Sequence, residues 1–196
     1  QLRVVAYLAV GNKHFRQIND IDLSDSFNAN GTKTDKFIHY NSGKFYAPIG
    51  TASAPFDGVY DGQGYKITGL KINREKENNL GLFGVVKQNG TLVPEIRNVH
   101  LELMAPDKTA TKANGIIGNE NIGGIAGSIV NAFVVNCSVA VGNVTGKNNV
   151  GGIVGNFTSS KVENCFTQSD VNAFGNSGSY AGGIVGSNEG VTTVIR

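Results

Sequence analysis

The sequence is poor in charge, in proline and in cysteine. Charged residues make up 16% of the 196 positions, against a usual share of roughly 25%, and the chain has four prolines, two cysteines and no tryptophan. Two cysteines cannot build the disulfide framework of a small secreted scaffold, and they indicate neither a zinc site nor a redox compartment. No apolar run approaches the ~18 residues of a membrane-spanning helix. We therefore expect a folded, soluble chain without a transmembrane segment.

The few charges are distributed unevenly. Residues 113–196 carry only seven charged side chains, and the first part of the chain mixes both signs. Nucleic acids and anionic membrane surfaces are bound through clustered Lys and Arg. The sequence therefore predicts no nucleic-acid partner.

Glycine is abundant, with 27 residues, and it marks an internal repeat. The segments NNLGLFG, NIGGIAG, NVGGIVG and YAGGIVG begin at residues 78, 121, 149 and 180, and their last glycines are 43, 28 and 31 residues apart. Repeats at such intervals indicate a solenoid. We expect one aliphatic column of the repeat to stack inward on consecutive rungs. Its members are Leu82, Ile125, Ile153 and Ile184.

A second pattern predicts a bend in each repeat. Pairs of apolar residues recur three positions apart, as at Val134 and Cys137. Residues at this spacing face opposite sides of a flat strand, so both can reach a core only if the chain turns between them. The position two residues after the first member of each pair holds residues that tolerate a left-handed backbone. These predicted corner residues are Asp20, Gly69, Asn98, Asn136 and Asn164, and the pairs begin at Ile18, Ile67, Ile96, Val134 and Val162.

These columns favour an all-β fold, a right-handed parallel β-helix of about six rungs that forms a single domain over residues 1–196. Short β-branched segments between Gly, Asn and Ser turns also fit a β-sandwich, but a sandwich needs antiparallel hairpins and no fixed period. Regular columns favour the parallel alternative. We expect a monomer.

The GGIAG and GGIVG copies, with their partners VVNCSV (134–139) and VENCFT (162–167), resemble GLUG-motif repeats. The segment PFDGVYDGQGYKITGLKI (55–72) is similar to the one that commonly precedes such repeats in bacterial surface proteins. The resemblance assigns GLUG-like repeats to 78–196 and the initial rungs to 15–77. The insertion 105–120 departs from a regular array. It is either a decoration of the solenoid or a binding loop.

The resemblance implies an extracellular or cell-surface location. GLUG repeats occur in haemagglutinin-like adhesins and in IgA-specific metallopeptidases of bacteria. We therefore expect a non-catalytic stalk or adhesion module that belongs to a longer protein, with a host protein or a glycan as the partner that such a module would bind. The alternative is an accessory domain of a large secreted peptidase that holds substrate or separates other domains. A polysaccharide-active enzyme is the least favoured function.

Residues of catalytic type are explained more simply by the fold. Asp57 and Asp61 lie in Asp-Gly pairs, which form turns, and the three histidines stand in no supporting motif. Ser177, in the segment GNSGS, is better explained by a Gly/Ser turn. The sequence contains no HExxH motif and no complete phosphate-binding loop. We predict no enzymatic activity, no cofactor and no metal site.

The two cysteines hold equivalent positions in successive rungs. Stacked inward positions would bring the Cα atoms of Cys137 and Cys165 to about 5 Å, which permits a disulfide. The alternative is a pair of buried thiols that pack as small hydrophobic residues. The sequence favours the thiols but leaves both open.

Aromatic residues in the first half form one candidate binding site. Aromatic rings can line a sugar-binding groove by stacking, although such residues more often cap or pack a solenoid. The candidate residues are Phe37, Tyr40, Phe45, Tyr46, Tyr60 and Tyr65.

Overall fold

The computed structural model of the chain describes residues 11–24, 43–105, 115–176 and 178–189, together with Leu2 and Val5. The regular structure of these residues is almost entirely β, in short strands that we number in chain order. The strands are β1 His14–Arg16, β2 Ile21–Asp22, β3 Val59–Asp61, β4 Lys66–Leu70, β5 Ile72–Asn73, β6 Phe83–Lys87, β7 Glu95–Arg97, β8 His100–Leu103, β9 Gly115–Ile117, β10 Glu120–Gly123, β11 Ala126–Val130, β12 Phe133–Val135, β13 Ser138–Ala140, β14 Asn143–Gly146, β15 Asn148–Gly151, β16 Val154–Thr158, β17 Lys161–Glu163, β18 Phe166–Thr167, β19 Asp170–Ala173, β20 Ala181–Gly182 and β21 Val185–Asn188.

Strands that are neighbours in sequence do not pair; strands one turn apart do. The sheet orders are β1-β3-β7-β12-β17, β2-β4-β8-β13-β18, β5-β9-β14-β19, β6-β11-β16-β21 and β10-β15-β20. Pairing between these strands is parallel throughout, as in β7 with β12 and β12 with β17. Parallel neighbours need a long crossover between them, and here each crossover is one complete turn of the chain. The fold is therefore a β-helix-like solenoid.

The core runs along the inside of the stacked turns. One apolar column contains Ile96, Val134 and Val162, and another contains Leu82, Ile125, Ile153 and Ile184. Every member except Ile184 is at most 1% exposed, and Ile184, in the last described turn, is partly buried against the same core. Each such burial contributes roughly 1.5–3 kcal/mol, so the columns are a main source of stability.

The last glycine of each repeat is required by close backbone contact. A methyl group at Gly127 would overlap the backbone of Asn79 and Leu80, and one at Gly155 would overlap the backbone of Asn121. Asn79 and Asn121 have left-handed φ of 57° and 58°, so a tight turn of one rung presses on the glycine of the next. Any side chain in this column would push two turns apart.

A column of asparagines forms the corner between the first and second sheets. Asn98, Asn136 and Asn164 have φ of 54°, 53° and 50°, respectively. The Nδ2 of Asn136 donates to Oδ1 of Asn98 at 3.3 Å, and that of Asn164 donates to Oδ1 of Asn136 at 3.2 Å. We call this column the first amide ladder. Each member fixes a backbone conformation that most residues avoid and joins adjacent turns.

A second amide ladder lies at the glycine-rich repeat and was not predicted. Asn79, Asn121 and Asn149 have φ of 57°, 58° and 52°. The Nδ2 of Asn121 donates to Asn79 at 3.0 Å, and that of Asn149 donates to Asn121 at 2.9 Å. Tyr180 stands at the next equivalent position and ends this ladder.

The predicted corner at Gly69 is wrong. Strand β4 pairs with β8, so Ile67 lies opposite Leu101, whereas Tyr60 of β3 lies opposite Ile96. Gly69 has φ of 73° but lies inside β4, where the register shifts between Ile67 and Leu70. A bulge of this kind also places two buried residues three positions apart, which is the spacing that a corner produces.

The same misalignment affects the earliest predicted rung. Ile18 was expected to face the core, but it is 69% exposed, and Ile21 pairs with Ile67 instead. Asp20 is not among the described residues with positive φ; its carboxylate accepts a hydrogen bond from the Lys66 amide at 2.8 Å. Within the predicted insertion 105–120, residues 106–114 lie outside the described residues, and β9 and the start of β10 belong to the sheets.

Candidate functional site

The described members of the predicted aromatic cluster do not form a shared stacking surface. Tyr46 and Tyr60 are 5% and 2% exposed, and the ring of Tyr60 packs edge-on against Phe83 at 5.5 Å between centroids. Burial raises the pKa of both phenols well above the ordinary value. Tyr65 is exposed and Phe45 is half-buried, while Phe37 and Tyr40 lie outside the described residues. Two rings of the cluster therefore belong to the core.

Next to this cluster, two separate segments form a cleft of about 310 Å³. One wall is the end of β5 with the turn that follows it, residues 73–77, and the other contains Gly43 and Lys44. The Asn73 amide donates to the carbonyl of Lys44 at 3.1 Å, and Nε of Arg74 donates to the carbonyl of Tyr46 at 3.1 Å. The backbone of the predicted aromatic segment thus holds the cleft together. We call this site the Arg74 cleft.

Glu77 is the electrostatic centre of the Arg74 cleft. Its carboxylate accepts hydrogen bonds from Nζ of Lys44 and from Nη1 of Arg74, each at 2.7 Å. The bond from Lys44 makes the largest contribution to a pKa of Glu77 below its ordinary value; partial burial opposes it and the bond from Arg74 adds to it. Glu77 is therefore held in its charged form between two cations.

Arg74 is buried although it carries a full charge. Its side chain is 8% exposed, and two of its three nitrogens have protein partners. The third, Nη2, is buried and has no hydrogen-bond partner in the part of the chain that the structure describes. An unpaired buried donor is costly, and a guanidinium cannot relieve that cost by losing its proton. Arg74 therefore keeps one nitrogen that no described residue pairs.

Sequence reasoning missed the Arg74 cleft, although a signal was present. Residues 74–77 read REKE, a run of four consecutive charges in a chain that has few. A run of charges is usually a solvated turn, and the burial of Arg74 within this run depends on a contact with Tyr46, far away in sequence. Only the fold places these segments together.

The carboxylates that could suggest catalysis are used by the fold. Asp57 is 2% exposed and accepts a hydrogen bond from the Gly11 amide at 2.8 Å. Burial opposes ionisation of Asp61, but hydrogen bonds from Asn98, Gln63 and Arg97 hold its pKa well below the ordinary value. Asp61 is also the acceptor for Asn98 at 3.0 Å and so begins the first amide ladder. A carboxylate with such a low pKa is a poor general acid.

One serine and one histidine are in contact on the surface of a sheet. Nδ1 of His100 and Oγ of Ser138 are 2.8 Å apart, on the neighbouring strands β8 and β13. Among the described residues, no carboxylate is bonded to His100 to orient its ring, as a catalytic triad requires. Ser177, the serine of the GNSGS segment, lies outside the described residues. The contact is thus a cross-strand hydrogen bond.

Cys137 and Cys165 are free thiols on adjacent turns. Cys137 is 1% exposed, and burial raises the pKa of its thiol well above the ordinary value. The two thiols donate to the carbonyls of Val135 and Glu163 at 3.3 and 3.2 Å. The described residues contain no cluster of three His, Cys, Asp or Glu side chains that could hold a metal ion. No helix among them is long and apolar enough to span a membrane.

Comparison with known sequences finds two much longer relatives; no protein-family profile matches the chain. The chain is 40% identical over 184 residues to a protein of Evansella cellulosilytica provisionally named Gly-rich membrane protein, a match that covers 93% of this chain and 18% of that protein. It is 30% identical over 150 residues to Halomucin of Haloquadratum walsbyi, which covers 66% of this chain and 2% of Halomucin. The chain spans less than a fifth of the length of either relative.

Comparison with solved structures finds a similar fold in a protein of Bacteroides ovatus provisionally identified as an immunoglobulin A1 protease. The TM-score is 0.52 at 17% sequence identity, and the match covers 99% of this chain and 61% of that one. At this identity the likeness concerns the fold alone. Nearly the whole chain therefore has a structural counterpart in a larger protein.

Proposed function

We propose that this chain is a non-catalytic, extracellular module of a longer secreted or cell-surface protein, in which it acts as a stalk that presents binding surfaces. The in-register stacking of consecutive turns carries the proposal. A single sheet runs from β1 to β17, and the core columns continue across every turn between them. Such a stack is stiff, because bending it would separate hydrogen-bonded strands on one side.

The much longer relatives support a modular role. The matched segment is 18% of the Evansella protein, whose name places it at a membrane, and 2% of Halomucin. A segment of this kind is one part of a large architecture in both proteins. We further propose that the solenoid is right-handed with about six rungs, that residues 1–196 form one domain, and that its repeats belong to the GLUG class.

A surface-display experiment tests the stalk. The chain is placed between a membrane anchor and a binding head, and the access of large beads to the head is measured. The controls replace the chain with a Gly/Ser linker of equal length or with the Ile153→Asp variant. We expect the folded chain alone to hold the head within reach of the beads. Equal access through the flexible linker would refute a stalk function.

A turnover assay tests the non-catalytic part of the proposal. Pectin-like polymers, peptides and nucleotides are incubated with the chain, and products are measured by mass spectrometry. We expect no product. Turnover that disappears in the Asp57→Asn, Asp61→Asn double variant would identify an enzyme instead.

The second candidate is an accessory domain of a secreted peptidase. The fold match to the Bacteroides protein over 99% of this chain favours it, and that protein is identified by its action on immunoglobulin A1. Surface plasmon resonance with immobilised immunoglobulin A1 separates the two candidates. Saturable binding to immunoglobulin A1 would favour the accessory domain, and its absence would favour the stalk.

A further inference from the structure

We propose that Cys137 and Cys165 form a disulfide bond when the folded chain meets a small disulfide oxidant, and that this bond fastens two adjacent turns of the solenoid together. The inference goes beyond the proposed function and does not depend on it. It is carried by the register of the two strands that follow the cysteines. Ser138 lies opposite Phe166, so Cys137, one position earlier, lies opposite Cys165 on the next turn.

Backbone hydrogen bonds on both sides of the pair hold the two turns at the spacing of paired strands. The amide of Asn136 donates to the carbonyl of Glu163 at 3.0 Å, and the amide of Phe166 donates to the carbonyl of Cys137 at 3.2 Å. Paired strands are about 4.8 Å apart. The Cα atoms of Cys137 and Cys165 therefore lie within the range of ~4.4–6.8 Å that disulfides require.

The two side chains point in the same direction. Each thiol donates to the carbonyl of the residue two positions before it, at 3.3 Å for Cys137 and 3.2 Å for Cys165. Both pack against the same core. The interaction with Cys137 is also the largest cause of a pKa of Cys165 below the ordinary value. Because S–H is a weak hydrogen-bond donor, rotating both sulfur atoms toward each other sacrifices little.

The turn that contains Cys165 can make the small movement that the bond requires. Parallel neighbours keep their Cβ atoms about 4.8 Å apart, slightly more than the ~3.5–4.5 Å of a disulfide. The two turns must therefore approach by a few tenths of an ångström. Strand β18, which follows Cys165, is the end strand of its sheet among the described residues. An end strand is bonded on one side only, so it can shift toward β13 without breaking a second ladder.

The reaction is a thiol–disulfide exchange with an oxidant such as oxidised glutathione. Cys165 reacts first, because it is partly exposed while Cys137 is 1% exposed. Its thiol loses a proton to solvent, and the thiolate attacks the oxidant, whose S–S bond breaks and releases one glutathione thiolate. Cys137 then loses its proton and attacks Sγ of Cys165, which displaces the second glutathione. The protein gives up two protons and two electrons, and the oxidant becomes two thiols.

Mass spectrometry of the whole chain tests the proposal. The folded chain is incubated at neutral pH with oxidised glutathione, then unfolded and treated with N-ethylmaleimide, which labels only free thiols. We expect a chain that has lost two hydrogen atoms, carries no label and yields a proteolytic fragment in which Cys137 is linked to Cys165. Labelling of both thiols, or a link between two separate chains, would overturn the proposal.

Alanine variants test the order of the two steps. Cys137→Ala should stop at the mixed disulfide and retain one glutathione on Cys165, because the second thiol is missing. Cys165→Ala is the matched variant and should remain unmodified while folded, because its remaining thiol is buried. Reaction of Cys165→Ala as fast as the natural chain would show that the turns open before they react, which contradicts closure in the folded state. If either variant fails to fold, the mass of the natural chain still decides the question.

The bond should stabilise the solenoid near its last described turn. Cys137 and Cys165 are 28 residues apart, and closing a loop of this length restricts the unfolded chain. We expect the oxidised chain to have a urea midpoint about 1 M above that of the reduced chain. Hydrogen exchange should slow in β18 and β19 and stay unchanged in β3 and β4. A bond that forms but lowers the midpoint would reject the fastening role.

Discussion

The turns before residue 78 and the turns after it reach the same fold by different means. In the later turns, similar aliphatic residues occupy each core column, and two amide ladders join the rungs. The earlier turns depend on particular contacts, such as Asp57 with the Gly11 amide and Arg97 with Asp61. Of the described ion pairs, only Arg97 with Glu95 and Lys161 with Glu163 lie entirely beyond residue 78. Repetition gives stability in one region, and specific polar contacts give it in the other.

The largest effect should come from a charge in the repeated core. Ile153 is 0% exposed, so Ile153→Asp places an unpaired carboxylate among stacked aliphatic residues and should prevent folding. Ile18→Asp is the matched control, because Ile18 is 69% exposed in the earlier region and should tolerate the change. Circular dichroism and soluble yield measure the outcome. A stable Ile153→Asp variant would contradict the inward column.

A smaller but still severe effect is expected in the glycine columns. Gly127→Ala brings a methyl group into the backbone of Asn79 and should lower the free energy of unfolding by about 3 kcal/mol. Gly183→Ala is the control: Gly183 lies in the last copy of the repeat, where an added methyl group meets no described atom within 4 Å, so we expect little change. Urea denaturation measures the difference. Equal midpoints would mean that close contact between turns does not limit this column.

The first amide ladder should show a graded response at Asn136. Asn136→Gly keeps the left-handed backbone available and should be mild, whereas Asn136→Val should cost about 1–3 kcal/mol of strain in addition to the lost ladder bonds. Asn136→Ala should fall between them. The urea midpoints of the three variants give the order. If the Val variant is as stable as the Gly variant, the corner does not depend on its positive φ.

The smallest expected effect is a pH-dependent loss of stability at Asp61, where the first amide ladder begins. Because the pKa of Asp61 is lower in the folded chain than in the unfolded chain, its contribution to stability is present above about pH 4 and is lost as pH falls toward the folded value. Asp61→Asn should therefore lower the urea midpoint at pH 7 and have less effect at pH 3. A variant that loses equal stability at both pH values would assign the effect to packing.

The difference between the two regions also decided how much the sequence could predict. Ile125 and Ile153 could be placed because identical neighbours repeat around them, and Asn136 could be placed from the spacing of its flanking residues. In the earlier region, a bulge at Gly69 produces the same spacing as a corner, and no repeated neighbour distinguishes the two. The direction of Tyr60 and the burial of Arg74 depend on contacts between distant segments, so a local pattern contains no information about them.

The first amide ladder has a direction. Each asparagine donates its amide to the turn before it, from Asn164 to Asn136, then to Asn98, and finally to the carboxylate of Asp61. The asparagine of an additional turn, inserted between two existing ones, would donate its Nδ2 to the turn before it. Its Oδ1 would accept a hydrogen bond from the turn after it. Duplication of the DNA that encodes one turn therefore requires no compensating substitution. Such a solenoid can lengthen in evolution one repeat at a time, while the chemistry at its first turns stays unchanged.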